Sequence, residues 1–204
     1  MRKIVIPFIS FLILASCDSE PIQNSEEPKL ITPINNETSP AKSEVEKNLN
    51  AFDDNLTAFI DCKSASSSPG SCKEYIAKSV SEYYGISDLM EAGNYIDYDK
   101  IPDKIAELDS WEKIGDFTEK NIQTALNMLN KFEKPVLIFN MNDSYVHVVA
   151  LKPNGSLSKS RKWDDITVPS CISYFPTRAS KSFTNKGINY AFGSLDGLVI
   201  WTKK

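Results

Sequence analysis

Residues 134–156 read KPVLIFNMNDSYVHVVALKPNGS, and this stretch decides the fold class. PVLIFNMN and SYVHVVALK are rich in β-branched and aromatic residues, and Asn142-Asp143-Ser144 between them favours a tight turn. Asn154-Gly155 in KPNGS is the strongest short hairpin signal in the chain. Alternation puts Tyr145, His147, Val149 and Leu151 on one face and Val146, Val148 and Ala150 on the other. Both faces are largely apolar, as a central strand requires. LVIWTK closes the chain as a further strand.

Upstream the pattern changes to helical periods. In SEVEKNLNAFDDNLTAFI, Ser43 and Glu46 form a capping box, and Val45, Leu49, Phe52, Leu56, Phe59 and Ile60 mark an apolar stripe. SPGSCKEYIAKSVSEYYG repeats the device: Ser71 and Glu74 form a second box, Ile76, Val80, Tyr83 and Tyr84 face inward, and Gly85 stops the helix. Cys72 thereby stands at the first helical position. Further helices are expected near Pro102, with Ile101, Ile105 and Leu108 inward, and from Thr118 through Ile122, Ala125, Leu126, Leu129 and Phe132. Helices first and antiparallel strands afterwards predict an α+β domain.

The N-terminus reads as a targeting segment. Arg2 and Lys3 precede IVIPFISFLIL, which is too short for an ordinary transmembrane helix, and the run ends Leu14-Ala15-Ser16-Cys17, which resembles a bacterial lipobox. The expected organisation is a signal peptide over 1–16, a lipidated Cys17 with a disordered tether to residue 42, and a folded domain over 43–204. Residues 18–42 are rich in Ser, Glu, Asn and Pro without an apolar period. The protein is expected to be exported and lipid-anchored to a bacterial membrane. Removing Arg2 and Lys3 takes the formal charge from -4 to -6, which argues against nucleic acid as a partner and leaves the lipid as the only membrane attachment.

With Cys17 assigned to lipid, three cysteines remain: Cys62, Cys72 and Cys171. An odd number in an exported chain leaves a thiol to explain. A Cys62 bond to Cys72 would close a short surface loop, whereas a Cys62 bond to Cys171 would staple the helical half to the sheet and free Cys72. The second pairing is favoured, with both structural cysteines unpaired as the alternative. The reason is chemical: a helix N-terminus stabilises a thiolate, which is useful only if the thiol is free. The base for such a nucleophile would be His147, the one histidine of the chain. A buried histidine filling a core position is the competing reading of that residue, and a small structural cysteine is that of Cys72.

The order of these residues resembles that of the papain-like and NlpC/P60-like cysteine hydrolases, in which a cysteine opens a helix and a histidine follows in an antiparallel sheet. Gly70-Ser71-Cys72, His147-Val148-Val149-Ala150, Lys152-Pro153-Asn154-Gly155, Trp163 and Tyr190-Ala191-Phe192 are similar to the motifs of a group of bacterial peptidoglycan amidases, over roughly residues 70–204. Tyr145-Val146 stands where that group has glycine, which leaves less room beside the imidazole. The resemblance implies a papain-like fold, N-terminal helices packed on a C-terminal antiparallel sheet, and acyl transfer on a peptide amide. Cys72 would attack the carbonyl, and His147 would protonate the leaving amine and then activate water.

Asp164, on the segment returning after Asn154-Gly155, is the first choice for the residue that orients His147, with Asp165 and Ser160 as alternatives. A solvated strand end is the competing reading of this acidic pair. The expected substrate is the peptidoglycan stem peptide, cut by an amidase or endopeptidase acting as a monomer. Two alternatives stand: an exported protease on protein substrates, and a noncatalytic lipoprotein binding wall fragments or a protein partner. No cofactor is expected. One histidine and no C-x-x-C speak against zinc, and FGSLDG lacks the spacing of a serine nucleophile elbow. Tyr83, Tyr84, Trp111, Trp163, Tyr174 and Trp201 could line a groove, but core filling is the favoured use.

Overall fold

Helices precede most of the strands along the chain. In order come α1 (Ala51–Ala65), α2 (Tyr75–Tyr84), a small ribbon of β1 (Met90–Glu91) and β2 (Asn94–Tyr95), α3 (Ile101–Ala106), β3 (Trp111–Asp116) and α4 (Glu119–Lys131). Then follow β4 (Val136–Asn140), β5 (Val148–Leu151), β6 (Leu157–Ser160), β7 (Ile166–Ser173), β8 (Phe183–Gly187) and β9 (Leu198–Lys203). The computed structural model describes residues 45–66, 68, 70–141 and 146–204. They fall in one unit, Pro40–Lys204. The expected signal segment, Cys17, the expected tether, Ser43, the expected turn at Asn142-Asp143-Ser144 and Tyr145 lie outside the described residues.

The main sheet runs β3-β9-β4-β5-β7-β6, with β8 also on β7, and every pairing is antiparallel. The protein is therefore α+β. Cys171 of β7 pairs with Leu151 of β5 and with Lys186 of β8, so these two neighbours flank opposite edges of β7. All five residues of β4 are buried, because helices cover both faces of the sheet. Leu137, Phe139, Val148, Ala150, Ile172 and Tyr174 meet α1, α2 and α3 on the first face. Val136, Ile138, Val149, Leu151, Val168 and Cys171 meet Ile122, Ala125 and Leu129 of α4 on the second. The alternation read from HVVALK is thus the alternation observed.

Two helix starts differ from expectation. α1 begins at Ala51, after the expected Ser43-Glu46 box, because the chain first makes a turn in which the Asn50 N–H bonds Asn48 Oδ1 at 2.9 Å. Leu49 is consequently exposed. α2 begins at Tyr75, and Ser71 does not cap it; the Ser71 hydroxyl instead donates to the Ser68 carbonyl at 2.8 Å. Its end is as expected, with Gly85 at φ 65°, a conformation that costs other residues a clash with the Cβ. Thr118 caps α4 by accepting from the Asn121 N–H at 3.2 Å. Phe132, expected inward, is exposed just past that helix.

Tyr174 ties the sheet to the first two helices. Its hydroxyl donates to the Phe52 carbonyl at 3.0 Å and lies 2.8 Å from Ser79 Oγ, while its ring stacks on Phe59 at 5.2 Å. Trp111, Trp163 and Tyr174 are buried, in keeping with core filling.

Candidate functional site

Cys72 precedes α2 by three positions and has φ 62°, a left-handed turn conformation rather than a helical one. Its thiol is bonded to Cys62 near the end of α1, across a sequence separation of 10, with the two Cα atoms 6.2 Å apart. This corrects the expected pairing of Cys62 with Cys171 and the expected free thiol at Cys72. The physical reason lies in the two faces. Cys62 packs against the layer of α1 and α2, whereas Cys171 is fully buried in the layer beneath α4, with the sheet between them. Among the described residues Cys171 is the free cysteine, and burial pushes its thiol well above the ordinary range, so it is a packing group. A sulfur held in a disulfide has no thiolate with which to attack a carbonyl.

His147 immediately precedes β5 and is only 5% exposed. Val149 pairs with Ser173, so in continued register His147 lies level with Phe175. Its ring stacks on Phe175 at 4.9 Å and meets Phe192 edge-on at 5.4 Å, and its Nε2 is 2.9 Å from Ser173 Oγ. Phe175 and Phe192 belong to the layer beneath α4, whereas Cys72 belongs to the layer of α1 and α2. The imidazole is therefore held by rings of the layer beneath α4, while Cys72 sits in the layer of α1 and α2. Both residues border one cavity of about 10 Å³, together with Phe59, Tyr98 and Tyr174, which is room for about one water molecule. Burial lowers the His147 pKa to about 4. An imidazole that holds a proton so weakly is a poor general base near neutral pH.

Asp164 does not orient His147. It is exposed, with φ 52°, just after the turn Arg161–Trp163, beyond Ser160, which pairs with Ile166 at the start of β7. His147 lies near the other end of that strand, level with Phe175. Asp165 follows Asp164 in the same turn, and Ser160 is buried at the far end. The partner that holds the imidazole is Ser173, from the neighbouring strand. One sequence signal could have found it: YVHVVAL and PSCISYF are both central β patterns, and antiparallel pairing between them brings Ser173 beside the histidine.

Among the described residues no group of three or more His, Cys, Asp or Glu side chains converges to hold a metal. The arrangement brings together a disulfide sulfur, an imidazole whose pKa burial lowers, one hydroxyl bonded to it, and aromatic walls.

No family model matches the chain, and no curated protein or solved structure matches it either.

Proposed function

We propose that this chain is an exported, lipid-anchored binding protein, with the element order of a papain-like or NlpC/P60-like hydrolase but without its working dyad. One observation carries the reading: the Cys72 sulfur is bonded to Cys62 and so has no thiolate. The papain-like assignment is part of the same proposal. It is supported by α2 packing on a central antiparallel sheet, with the cysteine just before that helix and the histidine at the start of a strand. Export is supported by the lipobox-like LASC and agrees with the presence of a disulfide. Without a thiolate the chain would bind wall fragments or a protein partner rather than cut them.

A second reading has one observation in its favour, the small cavity that Cys72 and His147 share. In it the disulfide is a latch: reduction frees the thiol, and the imidazole turns across the strand end to meet it. Incubation of the oxidised and the reduced protein with muropeptides, read by mass spectrometry, separates the two. The binding reading expects no released peptide in either state. Cleavage that follows reduction and disappears in Cys72→Ala would replace it with the latched hydrolase.

A further inference from the structure

The two rings that His147 touches also face a second, larger hollow. Phe175 and Phe192 line this open pocket of about 560 Å³, within the range that takes a small molecule. Four cations surround this pocket: Lys162, Arg178, Lys181 and Lys186. They come from three places in the sequence. Lys162 is on the turn Arg161–Trp163, Arg178 and Lys181 are on the connection between β7 and β8, and Lys186 is on β8. Among the described residues no acidic one lines the pocket and none of the four is in an ion pair.

In a chain of net charge -4 this local excess of positive charge runs against the background. Like charges brought together around a concave, partly apolar wall repel one another, and an anion entering the hollow would relieve that repulsion. The wall is also held in place. The Lys162 ammonium donates to the Phe192 carbonyl at 2.8 Å and to the Asn189 carbonyl at 3.4 Å, and Lys186 Nζ sits 5.4 Å from the Phe183 ring centroid. Tyr190 stands on the rim with 67% of its surface exposed, and so offers a ring face to whatever enters.

We infer that this pocket binds a small organic anion carrying two or more carboxylates or phosphates, with the charges on the Lys and Arg heads and a ring or aliphatic part against Phe175 and Tyr190. The inference rests on the binding reading above and gives it a ligand class. Cell-wall peptides supply carboxylates and phosphorylated metabolites supply phosphates; the chemistry read by the pocket is common to both.

The test is calorimetric titration of the full-length protein in detergent at low salt, with citrate and inorganic pyrophosphate as probes and phenyl phosphate compared with inorganic phosphate. One site per chain is expected, with phenyl phosphate binding more tightly than phosphate because of the aromatic wall. The tighter of citrate and pyrophosphate identifies the source of the anion. Arg178→Ala combined with Lys186→Ala should weaken binding at least tenfold, while Lys120→Ala with Lys131→Ala, which removes the same charge from α4, should change it less than twofold. Circular dichroism checks that both variants are folded. No binding by the parent, a loss under tenfold in the pocket variant, or an equal loss in the α4 variant would overturn the inference. Released muropeptides alongside intact, pocket-dependent anion binding would sink the noncatalytic reading alone.

Discussion

Cys72 and His147 border one small cavity, the sulfur packed with α1 and α2 and the imidazole held by Phe175 and Phe192 of the layer beneath α4. A consequence for reactivity follows. In the native oxidised protein neither Cys62 nor Cys72 has a thiol, and Cys171 is fully buried, so iodoacetamide should modify none of the three. Unfolding without reductant should expose Cys171 alone, and peptide mapping should recover Cys62 joined to Cys72. A mapped Cys62–Cys171 peptide would contradict the two-layer arrangement.

The disulfide also contributes stability. It closes a loop between α1 and α2 with a sequence separation of 10, and the loss of chain entropy in the unfolded state for such a loop is worth about 2–3 kcal/mol. Cys62→Ala combined with Cys72→Ala should lower the free energy of urea unfolding by about that amount, with little change in the slope against denaturant. An unchanged midpoint would show that the bond constrains nothing the chain does not already hold.

Much of this was legible in residues 134–156, and the part that was not has a physical reason. Period-2 alternation in HVVALK gave the correct division of faces, because a strand's side chains must alternate. The same alternation placed His147 with Val149 and Leu151. What it could not say was which face would receive α2, since that depends on how distant elements pack. The capping boxes misled for a local reason: Ser43-Glu46 and Ser71-Glu74 have the right spacing, but turns at Asn48–Asn50 and at Cys72 delay each helix. Ser173 was missed because serine at a buried strand position gives no composition signal of its own. The cations around the second hollow are scattered from Lys162 to Lys186 and come together only through the β7–β8 connection.

Tyr174 offers a test of the packing between the sheet and the first two helices. Its hydroxyl serves the Phe52 carbonyl and Ser79, both buried, and Ser79 in turn donates to the Tyr75 carbonyl at 2.7 Å. Tyr174→Phe keeps the ring against Phe59 and deletes only the oxygen. It should destabilise the protein by about 1–3 kcal/mol, because Phe52 and Ser79 are left without that partner. Chemical denaturation measures the loss. A cost near zero would mean that water replaces the hydroxyl.

His147 makes stability depend on pH in a direction its burial fixes. Burial holds its folded pKa at about 4, below the ordinary value of 6.5 that it regains on unfolding. Between those two values the unfolded chain binds the proton that the folded chain refuses. The contribution is therefore fully present above about pH 6.5 and is lost as pH falls towards 4. From pH 7 to pH 5 the loss should be about 2 kcal/mol. His147→Gln keeps a neutral partner for Ser173 but cannot take up a proton, so its stability should fall less over the same interval, by roughly that difference. Urea unfolding of both proteins at the two pH values gives the answer. Parallel losses in parent and variant would show that the imidazole accepts its proton without unfolding, as an accessible catalytic base would, and would reopen the latched-hydrolase reading.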